Sequence, residues 1–235
     1  MNVLFVRVGA DQSSGGGNWN GPVDSRTDEF CYVAIPESRT IHSGMERPYS
    51  QLKPFLAKFD VSFPEHLSGR QMHLDPDFEH LTYGDQGQRA KQLQERLSPG
   101  DLIVFYAGLS DVASRGLVYA IIGLMYVQRF VFASALNGSA RDINAHSRRE
   151  LKTGAEDIIV IAKPGVSGRL RKCLPIGEYR DRAYRVRKDL LSIWGDLSVR
   201  DGYLQRSARL PYVLEPDRFM NWLASKNIEL LPANN

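Results

Sequence analysis

Two β-rich runs joined by a short polar stretch constrain this chain more than any other feature. Leu102-Ile103-Val104-Phe105-Tyr106 has almost no polar character, and Leu117 to Val127 is nearly as apolar. A short apolar run behind a turn signal reads as a strand near the centre of a sheet, and Ser98-Pro99-Gly100-Asp101 is that signal. Residues 107–115 read as the connecting loop. Gly123, inside the second run, marks a bulge. The wider stretch Gly116 to Ala135 is interrupted by Tyr119, Gln128 and Arg129, too polar and too rich in β-formers to span a membrane.

The other segments fit around this pair. Val3 to Val8 reads as a strand, and Phe30 to Ile35 as a second, stopped by Pro36 and expected beside the first. Ile158 to Ala162 is a further apolar strand. A short helix is expected around residues 49–58, and longer ones over 87–97, 184–194 and 216–226, the last with Pro216 at its start. Strands and helices mix without a regular βαβ spacing. The expectation is therefore an α+β fold, one domain over residues 1–235, with a central mixed β-sheet flanked by helices. At 43% hydrophobic and 24% charged residues, the chain has the composition of a soluble globular protein. Met1 leads straight into a strand with no signal-peptide pattern, and Cys31 and Cys173 form no metal or CxxC motif; a cytoplasmic protein with reduced thiols is expected.

The first strand runs into Gly9-Ala10-Asp11-Gln12-Ser13-Ser14-Gly15-Gly16-Gly17-Asn18-Trp19-Asn20-Gly21. Such a loop is entropically expensive, far longer than a plain turn requires. It reads either as a solvated surface loop or as backbone that approaches a ligand closely. No Lys-Ser/Thr follows the glycines and no GxGxxG helix start is present, so neither common phosphate motif applies. Arg7, Asp11, Gly15, Gly16 and Asn20 remain candidate ligand-binding positions, with backbone amides available to a phosphate.

Residues 73–85 form a polar, aromatic loop. His73, Asp75, Asp77, Glu79 and His80 match neither HExxH nor an EF-hand, so no metal site is expected there. Asp75 and Asp85 sit beside turn residues that expose them, which suits a general base. Tyr83 and Tyr106 are candidate pocket walls, and His146 stands alone in a loop. Gln205, Arg206 and Ser207 group side chains that suit hydrogen bonding to a base or phosphate. Between Arg169 and Arg209 eleven cations face five carboxylates, a local balance of +6 in a chain of net charge +3. Nine of the eleven are arginine, whose planar fork suits phosphate; Arg182 and Arg187 are the candidates for nucleic-acid contact, against the alternative of a solvated, internally paired face.

Two resemblances follow. The run from Pro99-Gly100-Asp101 through Phe105-Tyr106 to Ile122-Gly123 looks like a pattern of PUA-like domains of the EVE and YTH kind, which flip a base into an aromatic pocket. It implies a partly PUA-like fold, with Tyr106 and Tyr119 as walls and residues 107–115 as a lid. More broadly, Val6-Arg7-Val8-Gly9-Ala10-Asp11, Glu29 to Glu37, His73 to Phe78, Thr82-Tyr83-Gly84-Asp85, Pro99 to Leu109 and Gln205-Arg206-Ser207 together resemble the nucleotide-modification-associated domain family, third type. That resemblance implies the making, handling or recognition of modified bases in DNA, with a nucleotide or DNA as partner. It carries no assigned catalytic residue, and no motif names a cofactor or a protein partner.

Overall fold

A computed structural model describes residues 1–205 and 208–235. In chain order the elements are β1 (Val3–Arg7), β2 (Pro22–Asp24), β3 (Glu29–Phe30), β4 (Ile35–Pro36), α1 (Lys53–Leu56), β5 (Met72–His73), β6 (Thr82–Asp85), α2 (Gly87–Arg96), β7 (Leu102–Asp111) and β8 (Leu117–Phe132). There follow α3 (Ala145–Arg148), β9 (Ile158–Ala162), β10 (Gly168–Pro175), β11 (Gly177–Arg180), β12 (Ala183–Val186), α4 (Lys188–Trp194), α5 (Pro216–Ala224) and β13 (Leu230–Leu231). Among the described residues nine strands make one mixed sheet, a path β13-β10-β8-β7-β2-β3 to which β1 joins at β7, and β9, carrying β6, joins at β8. The α+β architecture with helices packed on a central mixed sheet is as the sequence implies.

The central hairpin is longer than the sequence suggests. β7 continues through Asp111, so residues 107–111 are strand, and the loop that remains is the turn held by Asp111. Side chains explain the extension: Ala107 and Leu109 are buried and pair with Ala120 and Val118. The bulge falls where Gly123 sits: Phe105 pairs with Gly123 and Tyr106 with Ile121, which leaves Ile122 as the extra residue. Its effect is legible in the packing. Before the bulge Ala120 and Ile122 face one core and Tyr119 and Ile121 the other; after it Met125 and Val127 take the first and Leu124 the second. A side chain at Gly123 would strike the ring of Phe78, whose Cε1 would lie 2.3 Å away.

The two cores lie on opposite faces of β1 and β7. Leu4, Val6, Ile103 and Phe105 join one with Tyr32, Tyr49, Phe78 and Leu93; Val3, Phe5, Leu102 and Val104 join the other. In the second, Phe5 contacts Trp194 of α4 and Phe219 of α5, with ring centroids 5.6 and 5.5 Å apart. Burial of large aromatics on both faces is what makes these two strands almost wholly apolar.

Two expectations are corrected. β1 does not lie beside residues 30–35 but pairs in parallel with β7, Arg7 opposite Tyr106, while that segment breaks into β3 and β4. Residues 184–194 divide into β12, the return strand of a hairpin with β11, and α4. Asp181 and Arg182 form the hairpin's turn with φ of +50° and +61°, the left-handed pair of a tight two-residue connection. No helix among the described residues is long and apolar enough to cross a membrane. Cys31 and Cys173 are buried free thiols, and burial pushes the Cys31 thiol up to about 12.

Candidate functional site

The end of β1, β4, β5, β6, the start of α2, the middle of β7, α3, Gln205 and residues 209–211 converge on a cavity of about 310 Å³. Its lining holds Arg7, Asp11, Asp75, Tyr83, Asp85, Tyr106 and Gln205 from the sequence-based candidates. It adds Glu37, His73, Arg89, His146, Arg149 and Arg209. Gly15, Gly16 and Asn20 lie outside that lining. Arg206 and Ser207 fall outside the described residues.

The glycine loop serves the cavity through its acid. Asp11 pairs with Arg7, Nη2 to Oδ2 at 3.1 Å, and its Oδ1 accepts from the backbone and hydroxyl of Ser13. Ser13 in turn caps the short 3₁₀ turn of residues 14–16, where the Gly16 amide donates to Ser13 Oγ. Gly17 closes that turn at φ +90° against Pro36, a conformation only glycine adopts cheaply. Asn20 is buried and donates to the Gly108 carbonyl, and so ties the loop to β7. The glycines therefore shape a folded shelf that holds Arg7 at the cavity.

Asp75 and Asp85 are placed differently. Asp85 accepts from the Tyr83 hydroxyl, from Arg89 Nε at 2.8 Å and from the Gln86 amide, so both oxygens are engaged in orienting neighbours. Asp75 accepts through Oδ1 from the Gly84 amide at 2.7 Å and from Asn144 Nδ2 at 2.8 Å. Its Oδ2 turns toward His146 Nε2 at 3.8 Å, too far for a hydrogen bond. Burial raises the carboxyl above its ordinary value, against the opposing pull of His146, His73 and those two hydrogen bonds.

Two histidines share this floor, their rings edge to face with centroids 5.0 Å apart. His73 Nδ1 lies 2.6 Å from Glu37 Oε2. Burial would raise Glu37, but the His73 hydrogen bond and charge and the amides of Arg39 and Ser38 hold it at about 2. His146 Nδ1 lies 2.7 Å from Asp157 Oδ2, a carboxylate that Arg149 also pairs with. Against burial, His146 and Arg149 keep Asp157 ionised, at about 2. The Nδ1–Oδ2 contact thus requires the proton on Nδ1, although Arg149 Nη2 also stands 2.9 Å from that nitrogen. Burial lowers the His146 pKa and His73 adds to the effect, so the imidazole is neutral with its lone pair on Nε2.

Sequence reasoning singles out Asp75 but not its partners. His146 reads as an isolated loop residue, yet it is 4% exposed and its backbone amide donates to the Asn144 side chain, the bond that caps α3. The remaining candidates lie away from the cavity lining. Tyr119 stacks on Tyr184 at 4.7 Å beneath Arg7, and Tyr106, which does reach the cavity, donates its hydroxyl to the Leu204 carbonyl. Arg182 is exposed at the β11–β12 turn, and Arg187 pairs with Asp189. Much of the arginine-rich stretch is internally paired: Arg171 with Glu229, and Arg180 and Arg185 with Asp201.

Neither the curated proteins nor the solved structures contain a match to this chain. The model of one family matches residues 2–209, a span that holds the cavity lining among the described residues except Leu210 and Pro211. The chain belongs to the nucleotide modification associated domain 3 family.

Proposed function

We propose that the cavity binds a nucleotide, free or as part of DNA, and that its base is modified or recognised as a modified base there. The observation that carries this reading is the convergence of a buried acid and two histidines with several arginines around one cavity of nucleotide size. Arg7 and Arg89 suit the phosphate, since each presents a fork already oriented by a carboxylate. His73, Asp75 and His146 form the polar floor of the cavity against which the base would be held. The family's name associates it with nucleotide modification, which favours this class of ligand over other small anions.

The test is calorimetric titration of the full chain with plain and base-modified deoxynucleoside monophosphates and short oligonucleotides, with products followed by mass spectrometry. Arg89→Ala should weaken binding at least tenfold, and Asp75→Asn should abolish product formation while leaving binding within a few fold. Binding with no product from any substrate makes the protein a reader rather than a modifying enzyme. Absence of binding in the wild type, or affinities untouched by both substitutions, overturns the reading and leaves a partner-binding role.

A further inference from the structure

We propose that His73, Asp75 and His146 form a binding site for a first-row divalent transition-metal ion at the floor of the cavity. One potential ligand atom from each lies within 4.8 Å of the other two. What separates this from a chance meeting of polar residues is how each is held. His73 directs Nδ1 to Glu37, His146 directs Nδ1 to Asp157, and Asp75 commits Oδ1 to Gly84 and Asn144. Each residue therefore has one atom left over: Nε2, Nε2 and Oδ2. Metal-ligating histidines are characteristically oriented in this way, with the second ring nitrogen donating to a carboxylate that fixes the tautomer and raises the ligand's basicity.

An ordinary buried hydrogen-bond network accounts for the arrangement less well. His146 Nε2 and Asp75 Oδ2 face each other at 3.8 Å, beyond hydrogen-bonding range; the tautomer fixed by Asp157 leaves the lone pair on Nε2, and Oδ2 of the carboxylate is likewise an acceptor. Two acceptors turned toward each other in a buried floor are stabilised by a cation between them. Ligands at about 2.1 Å from one ion stand roughly 3.0–3.4 Å apart, so binding would draw His146 Nε2 and Asp75 Oδ2, now 3.8 Å apart, together by roughly half an ångström. The donor set also narrows the ion. Two imidazoles and one carboxylate suit iron(II), zinc and their neighbours, whereas calcium and magnesium favour all-oxygen sites. Three protein ligands on one side leave coordination positions open to the cavity. Residues 73–80 offer no ligand spacing by themselves because His146 is supplied from α3.

The site is testable without any nucleotide, so failure of the nucleotide reading leaves it standing, and absence of metal with nucleotide still bound removes only the ion. Purified full chain is analysed for metal by mass spectrometry, stripped with EDTA, and titrated with Co²⁺ followed by visible absorption. One Co²⁺ per chain is expected, displaced by Zn²⁺, with ligand-field bands of a nitrogen- and oxygen-ligated ion. His73→Gln and Asp75→Asn should lower affinity by 100-fold or more. Glu37→Gln, which leaves all three ligands in place, should lower it about 10–100-fold. His80→Gln, outside the triad, should leave it unchanged. Circular dichroism and thermal melts establish which variants fold; if the triad variants do not, Glu37→Gln carries the test. Failure of the folded wild type to take up Co²⁺ or Zn²⁺ at millimolar concentration overturns the proposal. So does uptake unaffected by every folded variant other than His80→Gln.

Discussion

Gly84 shows how closely single residues define the site. A Cβ at this position would lie 2.5 Å from His146 Cδ2 and 2.6 Å from Asn144 Oδ1. Both are rigid, hydrogen-bonded side chains with no room to retreat, because His146 is locked to Asp157 and Asn144 to Asp75 and Thr82. Gly84→Ala should therefore destabilise the fold by about 1–3 kcal/mol, the usual cost of overpacking, as read from denaturant midpoints. It should also displace His146 from Asp75. Asp111 is a structural counterpart far from any chemistry. Its carboxylate accepts from the Ser114 hydroxyl and amide and from the Ser25 amide, and these bonds hold its pKa well below the usual carboxylate value. A depressed folded pKa stabilises the protein above the unfolded value of about 4, and that contribution diminishes as pH falls below it. Asp111→Asn should accordingly cost stability at pH 7 and progressively less toward acid pH. A difference between wild type and variant that stays constant from pH 6 to pH 2 would show that the charge contributes nothing.

At the scale of elements, the β11–β12 hairpin gives the arginine-rich segment its shape. Its turn presents Arg182 to solvent, while Arg180 and Arg185 turn back onto Asp201. Only part of the local positive charge is thus available to an outside partner. If the hairpin meets the phosphates of DNA, the slope of log affinity against log salt should shrink by about 0.9 for each phosphate that is no longer neutralised. Arg182→Glu and Arg187→Glu should each flatten that slope, and a slope equal to that of wild type would remove the hairpin from the interface. The hairpin itself is hidden in the sequence because Ala183 to Val186 merges smoothly into the amphipathic pattern of α4. By contrast, β7 and β8 are legible, since two-sided burial imposes an apolar run that no helix of that length needs. Gly123 is legible as a bulge position because a glycine stands out in so apolar a strand, but its second use, making room for the ring of Phe78, is not legible.

For the whole molecule, what the sequence conceals is long-range pairing. β1 finds its neighbour about a hundred residues away in β7, and the cavity floor joins Asp75 to His146 across about seventy. Local spacing carries no trace of either, so Asp75, Tyr83 and Arg7 are recognisable as candidates while the histidine and carboxylates beside them are not. The same logic extends past residue 209, where the family match ends. Residues beyond it supply α5, whose Phe219 and Trp222 pack with Trp194, and β13, which extends the sheet at β10. They also supply two asparagines that close the other core. Asn234 accepts from the Phe78 amide and donates to Asp77, and Asn235 accepts from the Tyr32 amide and donates to the Tyr32 carbonyl. Phe78 and Tyr32 are fully buried and touch edge to face at 5.6 Å, on the segments that lead to Asp75 and to the glycine loop. Each net hydrogen bond is worth about 1 kcal/mol, and water entering the gap would recover part of it. The double variant Asn234→Ala, Asn235→Ala should thus lose roughly 2–3 kcal/mol in chemical denaturation. Because the loss falls beside residues 73–85, hydrogen exchange at Phe78 and Gly84 should quicken before exchange in β7 and β8 does. Uniformly faster exchange would instead mean that the two asparagines stabilise the molecule only as a whole.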